Sequence, residues 1–126
     1  MSGQDRSEAN GGGRRVELDL ALPRPIDPAG TRRVHVVVED ISQADGRATV
    51  LYETEVDSPP VRSDGTLDPI EVEVPDLPPA VEPAIRVHVD EGSTGAMTAG
   101  DFINPAVVRL PEGPRSVVDV SMTELR

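Results

Sequence analysis

The sequence predicts an all-β protein built as a single antiparallel β-sandwich of seven or eight strands. Three observations carry this. Residues 34–41 (VHVVVEDI) alternate apolar and polar side chains and run into the polar turn Ser42-Gln43-Ala44-Asp45-Gly46 with no helical period. Comparable alternating segments recur along the chain, each cut off by Pro, Gly or Asp. No stretch of length places apolar residues at helical spacing. The 126 residues fit one domain large enough to bury its own core.

Residues 1–13 (MSGQDRSEANGGG) are small and polar and end in three glycines. That composition does not offset the entropy of ordering itself, so these residues read as a disordered tail and 14–126 as the sandwich domain. The first strand, 14–22, sets Val16, Leu18, Leu20 and Leu22 on one face and Glu17, Asp19 and Ala21 on the other. Pro23, Pro25 and Pro28 remove backbone donors and end it, and Pro28-Ala29-Gly30 turns into the second strand, 32–41. There Val34, Val36 and Val38 share a face. Val37, on the other face with His35 and Glu39, implies partial cover there and a central place in the sheet.

After Asp45-Gly46 the third strand spans 48–56, with Val50, Tyr52, Thr54 and Val56 assigned to one face and Tyr52 filling the core with its hydroxyl at the rim. Ser58-Pro59-Pro60 stops it. A loop containing Asp64-Gly65 leads to 70–74 (IEVEV), whose polar face is wholly acidic and expected to be exposed. Pro75, Pro78, Pro79 and Pro83 make a connector that crosses an end of the sandwich. Alternation resumes over 84–90 and gives way to a Gly-punctuated hairpin loop at 91–100. A strand over 101–110 breaks at Asn104-Pro105, and a last strand, 115–122, opposes Val118, Val120 and Met122 to Val117 and Ser121. The common core expected from these faces is Val34, Val36, Val38, Val72, Val74, Ile85, Val87 and Val89.

A net charge of −11 repels phosphate backbones and anionic lipid surfaces, so neither nucleic acid nor a membrane surface is an expected partner. Cysteine is absent, which excludes disulfides, thiolate metal sites and a Cys nucleophile. No apolar run approaches the roughly 18 residues of a membrane span, and residues 1–13 lack the apolar centre of a signal peptide. As it stands the chain reads as soluble, cytoplasmic, or of the cell envelope where an export signal has been removed.

The candidate sites are few. His35 and His88 occupy matching Val-His-Val settings. On neighbouring strands their rings would lie side by side, with Glu39 or Asp90 at hand as a minimal zinc or copper ligand set. Outward histidines beside Arg86 and acidic neighbours ordinarily serve as surface residues, and no third ligand is nominated. Pairs such as Glu53 with Glu55 or Glu71 with Glu73 lie on one strand face, as solvated carboxylates do, rather than straddling a substrate. Residues 40–46 space oxygen donors as a calcium loop does but lack its terminal bidentate Glu, so a turn held by Asp and Ser side chains is expected. Gly92-Ser93-Thr94-Gly95 is not a nucleophile elbow, and without lysine there is no P-loop. No catalytic residue and no cofactor is assigned.

The second strand and its exit, Val34-x-Val36-x-Val38-x-Asp40-Ile41-Ser42-x-Ala44-Asp45, resemble the YbaY and YscW family, small and mainly bacterial lipoprotein domains that include pilotin-type chaperones of type III secretion. The order of the later segments is similar too: 70–74, a proline connector before 85–89, and Gly100-Asp101 ahead of a late strand. The resemblance spans about residues 16–120 and implies a β-sandwich without catalytic activity that acts as a binding or chaperone module at the cell envelope. The acylated Cys typical of the family has no counterpart here, and no partner-binding residue carries over by position. The sequence therefore predicts a monomer or weak oligomer that binds a protein partner through its open sheet edges, the proline connector, or the acidic face of Glu71 and Glu73. The alternative is a metal-binding or metal-delivery domain using His35 and His88.

Overall fold

The computed structural model describes residues 13–43, 46 and 48–126. The tail expected over residues 1–13 lies, apart from Gly13, outside the described residues. Nine strands are present among them and no helix: β1 (Arg14–Ala21), β2 (Arg32–Asp40), β3 (Thr49–Asp57), β4 (Ile70–Val74), β5 (Pro83–Glu91), β6 (Phe102–Ile103), β7 (Val108–Arg109), β8 (Arg115–Ser121) and β9 (Thr123–Glu124). They form two sheets. One is ordered β9-β6-β5-β2-β3, with β7 also paired to β5, and the other is ordered β4-β1-β8. Pairing is antiparallel apart from one parallel pair, β1 with β8.

The apolar faces of the two sheets meet in one core. Val34, Val36, Val38, Ile85, Val87, Val89 and Phe102 come from the larger sheet, and Val16, Leu18, Leu20, Ile70, Val72, Val74, Val118 and Val120 from the smaller. All eight core positions expected from alternation are buried, none more than 4% exposed. β2 is central, flanked by β5 and β3 along its whole length.

Two departures have local causes. The third strand was expected to hold one face from Val50 to Val56, but a bulge between Val38/Glu39 of β2 and the facing residues of β3 pairs Val38 with Tyr52 and Glu39 with Val50. Leu51 is the extra residue. It packs against the core with half-buried Tyr52, while Val50 turns out to solvent, 51% exposed. The last strand does not end the sheet work of the chain: Met122 is buried, its N–H donates to the Ala21 carbonyl at 2.9 Å, and the backbone then crosses to the larger sheet as β9.

The break at Asn104-Pro105 appears where alternation places it, between β6 and β7. Proline cannot donate to a ladder. The buried Asn104 side chain takes over: Val87 N–H donates to Asn104 Oδ1 at 2.6 Å, and Asn104 Nδ2 donates to the Ile85 carbonyl at 3.0 Å. β5 thereby keeps its outer partner across the gap.

Candidate functional site

Alternation sends His35 and His88 to the face of the larger sheet that points away from the core, and the β2–β5 register sets them directly opposite each other. The rings stack, centroids 5.2 Å apart and 15° from parallel. Neither is a free surface histidine. Their side chains are 29% and 13% exposed, and Met97 of the 91–100 hairpin loop and Ile103 of β6 line the same cavity beside them.

Two buried carboxylates complete the cluster. Asp90 follows His88 on the same face of β5, and Asp101 enters from the far end of the hairpin, just before β6; their side chains are 1% and 0% exposed. His88 Nε2 lies 2.7 Å from Asp101 Oδ2, and His35 Nε2 lies 3.8 Å from Asp90 Oδ2. One ligand atom each from His88, Asp90 and Asp101 falls within 4.8 Å of the others. On its other side His35 Nδ1 is 3.0 Å from Glu55 Oε2 of β3.

The hairpin fixes both carboxylates. Asp90 accepts from Thr94 N–H at 3.0 Å, the Thr94 hydroxyl at 3.1 Å and Gly95 N–H at 2.8 Å. Asp101 accepts from Glu91 N–H at 3.0 Å and Thr98 N–H at 3.1 Å. Burial pushes the Asp90 carboxyl up, but the donors from Gly95 and Thr94 and the neighbouring His88 outweigh it, leaving the group below its ordinary value. Behind the cluster the buried guanidinium of Arg32 grips Glu91 through two hydrogen bonds, at 2.8 and 3.2 Å, and also donates to the Asp27 carbonyl. A cavity of about 240 Å³ opens beside the rings, lined by His35, Val37, His88, Met97 and Ile103 among others.

The sequence nominated Glu39 or Asp90 as the histidines' acidic neighbour. Asp90 is there. Glu39 is not: its carboxylate pairs with Arg86 Nε at 3.1 Å further along the face. Asp101 was missed because its place depends on where the loop returns, and its one sequence signal is Gly100-Asp101 at the loop's end.

Elsewhere, Glu71 and Glu73 lie exposed on β4, as expected. Their surroundings differ. Glu73 pairs with Arg15 at 3.3 Å, whereas Glu71 stands opposite Glu17. Glu55 pairs with Arg33, which also reaches Asp57 at 3.8 Å, while Glu53 lies exposed on the same strand. In the turn read as Asp-held, Asp40 Oδ1 accepts from Ser42 N–H at 2.9 Å and Glu82 N–H at 3.0 Å, tying the end of β2 to the proline connector; Ala44 and Asp45 lie outside the described residues. The connector faces the 110–114 segment across a groove of about 660 Å³, whose lining includes Leu77, Pro79, Arg109 and Leu110.

No family model matches the chain, and no curated protein matches it. Among solved structures, the fold is similar to that of an alternative pilotin from the type II secretion system of Vibrio cholerae, with a TM-score of 0.60 and 14% identity over 88% of this chain and 97% of that one. At that identity the likeness is one of fold.

Proposed function

We propose that this chain is a non-enzymatic β-sandwich module that binds a protein partner at the cell envelope by accepting an extended segment along β3. The observation that carries the reading is the edge itself. β3 runs for nine residues, and among the described residues only β2 pairs with it, so one side of its backbone is left to recruit a strand. The fold shared with a pilotin supports a binding role.

The chemistry of the edge selects the partner. Glu53, Glu55 and Asp57 lie on the outward face of β3, with Arg33 compensating part of that charge. A second copy of this chain would bring like charges together, which disfavours edge-to-edge self-pairing and fits a monomer or weak oligomer. An extended segment with Arg or Lys on alternate positions would meet complementary charge instead.

The test is capture of partners from a host envelope extract, followed by amide hydrogen exchange of the purified complex. The amides of residues 49–57 should slow on partner binding, and Glu53→Arg should weaken capture. Protection confined to the proline groove or to the β4 face, with β3 unchanged, would refute edge addition.

A further inference from the structure

We propose that His88, Asp90 and Asp101, with His35 as fourth ligand, form a binding site for a divalent transition-metal ion of the zinc class. Three independent features of the cluster converge on this. The first is the donor set. Two imidazoles and two carboxylates are hard-to-borderline ligands suited to zinc. The second is charge. Two fully buried carboxylates share this pocket, and among the described residues no arginine lies within ion-pairing distance of either; their only pairing partners are the two histidines. A divalent cation would add its charge beside two buried carboxylates that no arginine pairs with.

The third feature is support. Thr94 and Glu91 N–H groups donate to Oδ1 of Asp90 and Asp101, Gly95 and Thr98 N–H groups donate to their Oδ2 atoms, and His35 Nδ1 is held by Glu55, which is the kind of outer shell that orients metal ligands. His88, Asp90 and Asp101 would draw together from within 4.8 Å, and His35 would turn out of its near-parallel stack on His88, because two stacked rings cannot both aim an in-plane nitrogen at one ion. Bonds of about 2.0–2.1 Å in a tetrahedron separate ligand atoms by roughly 3.3 Å. The 2.7 Å hydrogen bond between His88 and Asp101 would open by about half an ångström as the metal replaces its proton, and the 3.8 Å gap between His35 and Asp90 would close by a similar amount. The 240 Å³ cavity beside the rings reaches both imidazoles, and neither Asp90 nor Asp101 lines it.

The chain contains two histidines, so their imidazole NMR signals report the site without ambiguity. Zinc titrated into the chelator-treated full chain, free of any affinity tag, should bind at one equivalent with a dissociation constant of about 1 μM or tighter and shift the signals of both imidazoles. His88→Ala and Asp101→Asn should each weaken binding at least about tenfold, while Glu71→Ala, on the opposite sheet, should leave it unchanged. Asp101 receives the Glu91 and Thr98 N–H groups on separate oxygens and Asn keeps an acceptor for only one of them, so the melting temperature of Asp101→Asn is read beside its affinity. Unmoved His88 signals at saturating zinc, or unchanged affinity in both site variants, overturns the assignment. Equal weakening by Glu71→Ala also overturns it, since that marks diffuse attraction to an acidic protein.

Discussion

At Asn104 and Asp40 one polar side chain each does what the backbone cannot. Asn104 fills the ladder gap that Pro105 creates, so Asn104→Ala strands the Val87 N–H and the Ile85 carbonyl in a buried setting. An unsatisfied buried group costs about 1–3 kcal/mol. Urea unfolding of this variant should therefore show a loss of about 2 kcal/mol or more, and a loss within experimental error would mean that the break between β6 and β7 is not sealed by this amide. Asp40 offers a pH signature. Its carboxyl lies below its ordinary value of 3.8 because the N–H groups of Glu82 and Ser42 donate to it. A carboxyl depressed in the folded state stabilises fully above its unfolded value and loses that contribution as pH falls through the folded one. The stability difference between the wild type and Asp40→Ala should thus be largest near neutral pH and shrink as pH falls below the ordinary carboxyl value of 3.8. A difference that grows on acidification would contradict the sign.

Among the strands, alternation was sufficient wherever the ladder is regular. Val34, Val36 and Val38 of β2 and Ile85, Val87 and Val89 of β5 face the core as their spacing demands, because a period of two fixes both faces once one is buried. It failed at Val50, where one extra residue in β3 reverses the phase, and bulges leave no mark on composition. The β1–β8 pair was illegible for another reason: a parallel match of Leu18 with Val118 joins the two ends of the domain, and periodicity says nothing about partners. The candidate site was half legible on the same terms. His35 and His88 are neighbours because matching strand settings put them in register, whereas Asp101 arrives through the geometry of a loop. The bulge has a direct test. Val36→Ala should cost about 2 kcal/mol through lost burial and a residual cavity, while Val50→Ala should fall within about 0.5 kcal/mol of the wild type. Comparable losses at the two positions in denaturant titrations would return Val50 to the core face and remove the bulge.

Over the whole molecule, charge decides what this sandwich can approach. The net −11 is spread over both outer faces, but its compensation is uneven. On the smaller sheet Arg15 neutralises Glu73, whereas Glu17 faces Glu71 and Asp19 faces Asp119 across the strands. Like charges directly opposite in a sheet are mildly destabilising. Glu71 is accordingly the better probe of long-range steering: reversing it relieves a repulsion, so Glu71→Arg should leave stability unchanged or raise it by about 0.2–1 kcal/mol. The same variant should slow association with a basic partner, and the slowing should be marked at low ionic strength and fade as salt rises, since exposed charges are screened beyond roughly 10 Å at 0.1 M. Stopped-flow association at several salt concentrations measures both effects. A rate and salt dependence identical to the wild type would show that the face made by Glu17, Glu71 and Glu73 only keeps the protein dispersed, and would leave recognition to the edge of β3, where the charge sits beside an unpaired backbone.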